Sequence, residues 1–293
     1  MGLRIRTNVT ALTAQRFTSS NTEKSNESLE RLSSGYRINR SSDDAAGLAV
    51  SEGLRAKVRG LNQAKRNASD AVSMVQIAEG SLNEVGNILI RLRELTVQAA
   101  SDTVGDTERG YLNREYTQLV DEIDRISGTT EFNSLKLFDG ESANDVVIQV
   151  GVNESQPEDN TDTITFSMEG LGKMNSQDLE LGKENEIGPT DSDNSDAVSR
   201  EDIASRLTNI DNAIKHVTGE RATLGAVQSR LNTAVSNISI QNENLSAANS
   251  RIRDVDFAEE SSKMAQARVL QASSLSVLTQ ANATPEMALQ LLR

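Results

Sequence analysis

From Ile203 to Ile252 one spacing repeats without a slip: Ile203, Leu207, Ile210, Ile214, Val217, Arg221, Leu224, Gln228, Leu231, Val235, Ile238, Asn242, Leu245, Asn249 and Ile252 step alternately by four and three. A sustained period of 3.5 residues keeps one stripe of a helix against a partner helix, and neither strands nor loops can present it. At about 1.5 Å per residue such a helix would run roughly 75 Å, so the sequence predicts a rod built of long helices. The polar seam members Arg221, Gln228, Asn242 and Asn249 cost stability in an isolated pair but can fix register and partner number.

The N-terminal half carries matching patterns. Ala71, Val75, Ala78, Leu82, Val85, Leu89, Leu92, Thr96 and Ala99 keep the same stepping, and after a polar break at Ser101 to Gly110 it resumes at Leu112, Tyr116, Leu119, Ile123 and Ile126, with Gly128 as a stop. An antiparallel return helix is expected there. Further upstream, Leu3, Val9, Leu12, Leu29 and Leu32 lie on a looser helical pattern ended by Gly35, and Ser41 to Asp44 read as the cap of a second helical segment. Ser199 with Asp202 resembles a capping pair before the long C-terminal helix. At the far end, Val255, Ala258, Met264, Val269, Leu270, Leu275 and Leu278, then Met287, Leu289, Leu291 and Leu292, carry an apolar pattern almost to the last residue. Apolar side chains at a chain end need a cover.

Between the helical halves, Asp145 to Val150 and Thr161 to Ser167 alternate as two strands of a hairpin with a long tip containing Pro157. Leu181 to Ser199, with Gly188-Pro189 and the run Asp191 to Asp196, has the composition of a solvent-facing connector. The expected fold is mainly α: an elongated antiparallel helical rod or coiled coil formed by both termini, with a small β-hairpin. Its expected parts are a terminal coiled-coil core (1–42 with 252–293), a helical rod (43–136 with 198–251), and the hairpin with its acidic connecting loop (137–197).

Composition narrows the chemistry. With Cys 0, thiol catalysis, disulfides and zinc-cysteine sites are excluded; one histidine, His216, cannot make a zincin motif, and a serine triad would have to use this helical residue in a chain without a G-x-S-x-G elbow. His216 reads as a residue of a helix surface. Gly172-Lys173 and Gly182-Lys183 lack the hydroxyl that a phosphate loop gives to magnesium, and the Asp191, Asp193, Ser195, Asp202 spacing lacks the glycine of a calcium loop. No cofactor is expected. A net charge of -13 argues against nucleic acid as a partner, although Arg55, Lys57, Arg59, Lys65 and Arg66 cluster locally. No apolar run follows Arg4 and Arg6, so a cleavable secretory signal is not expected, and Val269 to Pro285 is too polar to span a membrane.

Leu32-Ser33-Ser34-Gly35-Tyr36-Arg37-Ile38-Asn39-Arg40-Ser41-Ser42-Asp43-Asp44-Ala45-Ala46-Gly47-Leu48-Ala49 resembles the N-terminal signature of bacterial flagellins, continued by Gly60 to Ala64 and Glu79 to Val85. Ser250-Arg251-Ile252-Arg253-Asp254-Val255-Asp256-Phe257-Ala258 and Val277 to Ala283 are similar to the C-terminal signature. The resemblance covers roughly residues 1–140 and 200–293, and it implies a minimal, non-enzymatic filament subunit without large outer domains.

In that family the two termini pair as a coiled coil lining the filament channel. The resemblance therefore implies a self-assembling homopolymer in the extracellular flagellum, exported unfolded through the flagellar type III apparatus. It implies an export chaperone on the C-terminal segment, and the flagellar cap and hook-filament junction proteins as neighbours. Leu3, Val9, Leu12, Leu29, Leu32, Leu270, Leu275, Leu278, Leu289 and Leu292 are the expected assembly residues, loose in the monomer and covered on polymerisation. Arg91, Leu95 and Glu115 match the family's contact positions for Toll-like receptor 5, with packing against an adjacent subunit as their primary expected role. The rival readings are a hook-filament junction protein, a flagellin bearing a metallopeptidase, and a monomeric secreted adhesin.

Overall fold

The computed structural model describes residues 7–138, 145–153, 160–167, 171, 174–182, 187–188 and 200–290; side chains at 160, 200–201 and 284–290 lie outside that description. Five helices dominate: α1 (Val9–Ser34), α2 (Ala45–Ala99), α3 (Asp106–Thr129), α4 (Arg200–Arg253) and α5 (Phe257–Gln290). Two small antiparallel pairs, β1 (Glu131–Phe132) with β2 (Leu135–Lys136) and β3 (Val146–Gln149) with β4 (Thr163–Phe166), and a 3-10 turn at Asn160–Asp162 accompany them. The chain divides into two compact units, one of Met1–Val58 with Glu243–Arg293 and one of Arg59–Asn242.

The larger unit is organised by the α2 seam. Ala71, Val75, Ala78, Leu82, Val85, Leu89, Leu92, Thr96 and Ala99 are all buried, so every position that the heptad selects is in the core. Arg91 pairs with Glu115 at 2.7 Å and Ser81 accepts from Thr130, an order that makes α2 and α3 antiparallel. Arg93 with Asp211 at 2.7 Å, and the Asn242 amide donating to Asn62 Oδ1 at 2.8 Å, run α4 antiparallel to α2 as well. One polar seam residue thus answers another across the interface. Such a pair favours one register, although Asn242 Oδ1 is itself buried without a hydrogen-bond partner.

The β3–β4 hairpin lies against α2. Ile148, Ile164 and Phe166 face the core, Val147 faces away, and Asn67 of α2 donates to the Gln149 carbonyl at 3.3 Å. Gly60 permits this approach, since a Cβ there would meet Val152 Cγ1 at 2.5 Å. The register pairs Val146 with Phe166 and Gln149 with Thr163, within the two segments expected from alternation.

Three readings need correction. On α3 the buried stripe is Asn113, Tyr116, Val120, Ile123 and Ser127, rotated from the expected one, with Leu112, Leu119 and Ile126 only partly buried. The reason is polar: Asn113 Oδ1 accepts from Ile187 N, and Asp124 accepts from both the amide and the hydroxyl of Ser176 at 2.7 Å, so the connecting chain caps this face of α3. The connector from Leu181 is therefore not solvent-facing throughout, because Leu181, Ile187 and Gly188 are buried against that core. Residues 189–199 of it, Ser199 of the expected capping pair included, lie outside the described residues. Finally, β1 and β2 form a hairpin that the sequence reading did not contain, turned through Asn133 and Ser134 at φ 50 and 66.

Candidate assembly surface

α1 and α5 pair along their length, and the inward positions keep heptad spacing. On α1 they are Ala11, Ala14, Thr18, Asn21, Ser25, Ser28 and Leu32; on α5 they are Glu260, Met264, Ala267, Gln271, Ser274, Leu278 and Ala281. Asn8 donates to the Ala281 carbonyl at 2.8 Å, Asn21 to Ser274 at 3.1 Å, and Gln271 to Thr22 at 3.0 Å, while Arg31 faces Glu260 at 3.9 Å. The numbering falls on one helix as it rises on the other, so the pair is antiparallel. Small and polar side chains make up most of this seam, with Leu32, Met264 and Leu278 among them.

The large apolar side chains lie outside it. Val9 is 58% exposed, Phe257 62% and Val269 69%, and Leu12, Phe17, Leu29, Leu270, Leu275 and Val277 are exposed as well. Of the expected assembly residues, Val9, Leu12, Leu29, Leu270 and Leu275 are on this outer surface, whereas Leu32 and Leu278 are half-buried in the seam. Leu289 belongs to α5 but its side chain, like Leu3 and Leu292, lies outside the described residues. Phe17, Phe257 and Val277 are outer apolar residues that the assembly set omitted. A helix pair meant to stand alone places its leucines inward. Leucines flanking a polar seam on both helices suit contact with further helices.

At the base of the pair two short linkers cross. Gly35 ends α1 with φ 75, a left-handed conformation that favours glycine, and its amide donates to the Arg31 carbonyl. Val255 N donates to Gly35 O at 3.0 Å, Arg37 N to Arg253 O at 2.7 Å, and Tyr36 bridges to Asp254. The Arg253 guanidinium sits 4.7 Å from the centre of the Tyr36 ring and also pairs with Glu52 of α2, whose carboxyl is held below its usual range chiefly by that hydrogen bond. Asp43 accepts from the amides of Arg40 and Asn39, which lower its pKa. Within the expected cap it is Asp44 that serves α2, accepting from Gly47 N at 2.8 Å, and Asp256 does the same for α5 through Ala258 N and Glu259 N.

In the larger unit, Arg91 and Glu115 are about half exposed and bonded to each other, whereas Leu95 has no exposed surface and sits in the core. The Glu115 carboxylate, followed by that of Glu94, raises the Arg91 pKa. His216 is half-buried on α4 with Nδ1 unpartnered. A groove of about 390 Å³ between α2 and α3 is lined by Gly80, Ser81, Glu84, Ile88, Glu122 and Arg125, with Ile126, Thr129 and Thr130. Among the described residues there is no group of three or more potential metal-binding side chains, and no helix is long and apolar enough to cross a membrane.

The fold defines a class of protein, the long-helical chain whose terminal helix pair has a largely polar seam and large apolar residues on its outer face. Residues 5–143 match the bacterial flagellin N-terminal helical region and residues 207–292 the bacterial flagellin C-terminal helical region. The flagellin of Bacillus subtilis (strain 168) is 40% identical over 304 residues, covering 99% of this chain and 100% of that one. That of Halalkalibacterium halodurans is 41% identical over 286 residues, covering 98% of each. The crystal structure of Bacillus cereus flagellin aligns with a TM-score of 0.47 at 30% identity, covering 63% of this chain and 94% of that one. The chain belongs to the bacterial flagellin family. It is a structural, non-enzymatic subunit that polymerises with itself into the extracellular flagellar filament.

Proposed function

We propose that residues 1–42 with 252–293 are the part of this flagellin that joins copies together, and that the outer apolar residues of α1 and α5 carry the contacts. The observation behind this is the inversion of the terminal pair, with Ala, Ser, Thr and Asn in the seam and Val9, Leu12, Leu29, Leu270 and Leu275 outside. Burying a leucine-sized side chain stabilises by about 1.5–3 kcal/mol, so a few such residues per contact suffice to drive assembly. Residues 43–136 with 198–251 serve as the preformed helical body, and 137–197 as the hairpin and acidic loop.

The same exposed α5 surface suits an export chaperone that grips the C-terminal segment before secretion, after which the flagellar cap and the hook-filament junction proteins are the neighbours at the two ends of the polymer. Arg91 and Glu115 are the surface groups through which Toll-like receptor 5 would meet α2 and α3; buried Leu95 would act by shaping that face.

Seeding purified protein at neutral pH and imaging by electron microscopy tests the assembly reading. The full chain is expected to form long filaments, and a chain lacking residues 279–293 none. If neither polymerises, a junction-protein role replaces it. If the truncated chain polymerises as well, the terminal contacts are not the ones that matter.

A further inference from the structure

We propose that Arg253 is a register clamp: by pinning the two crossing linkers it makes α1 meet its own α5 in one alignment. This rests on the reading of the terminal pair as the assembling element. The seam itself specifies register weakly. A slip of seven residues would break the Asn21–Ser274 and Gln271–Thr22 bonds, but it would keep the heptad stripe facing inward and leave Val9, Leu12, Leu270 and Leu275 outside. Further discrimination comes from the base, where Gly35 after α1 is bonded to Val255 before α5.

Arg253 adds a side-chain tie to the backbone bonds of that base, beside the Arg37 guanidinium that donates to the Ile252 carbonyl. Its carbonyl accepts from Arg37 N at 2.7 Å, its guanidinium lies over the Tyr36 ring, and the same guanidinium reaches Glu52, so one side chain joins the α1–α2 linker, the start of α2 and the end of α4. Its side chain is only 15% exposed, and the charge is balanced by Glu52 and the ring face. One turn along each helix from the crossing, Arg31 and the buried Glu260 face each other, and a slipped register would separate them. Arg253 is thus a positioning residue, acting within one chain, while the outer leucines act between chains.

Cysteine pairs can read the register because the chain has none of its own. Asn21→Cys with Ser274→Cys reports the observed alignment, in which Asn21 Nδ2 and Ser274 Oγ are 3.1 Å apart. Asn21→Cys with Ala267→Cys or with Ala281→Cys reports slips of about one heptad in either direction. The yield of intrachain bridging by a short bismaleimide is measured in the soluble chain and in filaments.

With Arg253 intact, the Asn21–Ser274 pair should dominate. Arg253→Ala should lower the ratio of native to slipped bridging about tenfold, and Arg253→Lys, which keeps the cation over the ring, should retain an intermediate ratio. An unchanged ratio in Arg253→Ala overturns the clamp. Should that variant fail to fold by circular dichroism, Glu52→Gln and Tyr36→Leu each remove one tie, and unaltered ratios in both overturn it equally. Absence of filaments from the chain with Arg253 intact counts against the assembly reading, whereas the bridging ratio in the soluble chain still decides the clamp.

Discussion

The α2–α3–α4 core and the α1–α5 pair use the same heptad arithmetic with opposite contents. In the core, Leu82, Leu89, Leu92, Ile123, Leu224 and Leu231 point inward with essentially no exposure. In the terminal pair the inward positions hold Ala14, Thr18, Asn21, Ser28, Ala267 and Ser274 with Leu32 and Leu278 half-buried among them, and Leu12, Leu29, Leu270 and Leu275 point out. The difference separates two jobs. A seam that buries leucines stabilises a chain by itself, whereas a seam of small and polar groups leaves most of the hydrophobic stabilisation to be realised when other chains arrive. In this chain the leucine burial is concentrated in the larger unit, and under the function proposed above the exposed leucines of the other are its contacts with further copies.

The sharpest way to break that comparison is to cut into each seam. Leu92→Ala should destabilise the larger unit by about 2–5 kcal/mol, the usual cost of a cavity in a packed core, read as a lower urea midpoint by circular dichroism. Ala267→Ser on α5 should leave that midpoint where it was. Comparable losses from the two substitutions would show that the terminal pair contributes to the soluble chain's stability as the core does.

The core was largely legible because its signal is periodic and apolar: the nine α2 positions from Ala71 to Ala99 that keep the step are all buried. The α3 face was misread where polar groups are buried. Asn113 and Ser127 look like surface residues until Ile187 N and Asn175 Oδ1 are found bonded to them, and those partners are distant in sequence. The terminal helices were legible as helices and as apolar, yet the pattern did not say which side was the seam. Only the positions of Asn21, Thr22, Gln271 and Ser274, bonded across the pair, show that polar residues face inward. The linker crossing was unreadable, since Tyr36 and Arg253 meet through the fold and not through any local pattern.

Alkali should destabilise the larger unit through Tyr116. Burial without a hydrogen-bond partner pushes the Tyr116 phenol up to about 12 in the folded chain, against 10.0 for the ordinary group. The unfolded chain therefore loses this proton first, and stability is fully present below pH 10 and falls between about pH 10 and 12. The loss amounts to roughly 2–3 kcal/mol at about 1.4 kcal/mol per pH unit. Neither α1 nor α5 contains a tyrosine. Tyr116→Phe should flatten the difference between urea midpoints at pH 9 and pH 11; if the slope persists, its source is another group and the phenol is not the responsible one.

On the terminal pair, Leu275→Ala should do the reverse of Leu92→Ala. The soluble chain should unfold at an unaltered midpoint, because the leucine is 55% exposed there. The critical concentration for filament growth should rise about tenfold, corresponding to about 1.4 kcal/mol per subunit, as measured by sedimentation of seeded polymer. An unchanged critical concentration would remove Leu275 from the contact surface.

The smallest effect belongs to the turn between β1 and β2. Asn133 and Ser134 both hold positive φ, the pairing that a two-residue hairpin requires, and asparagine accepts that conformation more readily than serine does. Ser134→Gly relieves the left-handed strain at the second position but gives the unfolded chain more freedom, so the net gain should be only about 0.5 kcal/mol. The turn leads directly into Leu137 and Phe138, which are buried in the core, and Leu137 N donates to Thr130 O at 3.1 Å. A gain in the urea midpoint would therefore mean that turn strain is felt by the core unit as a whole. A loss would mean that the serine side chain, and not its backbone conformation, is what holds the hairpin where Leu137 and Phe138 need it.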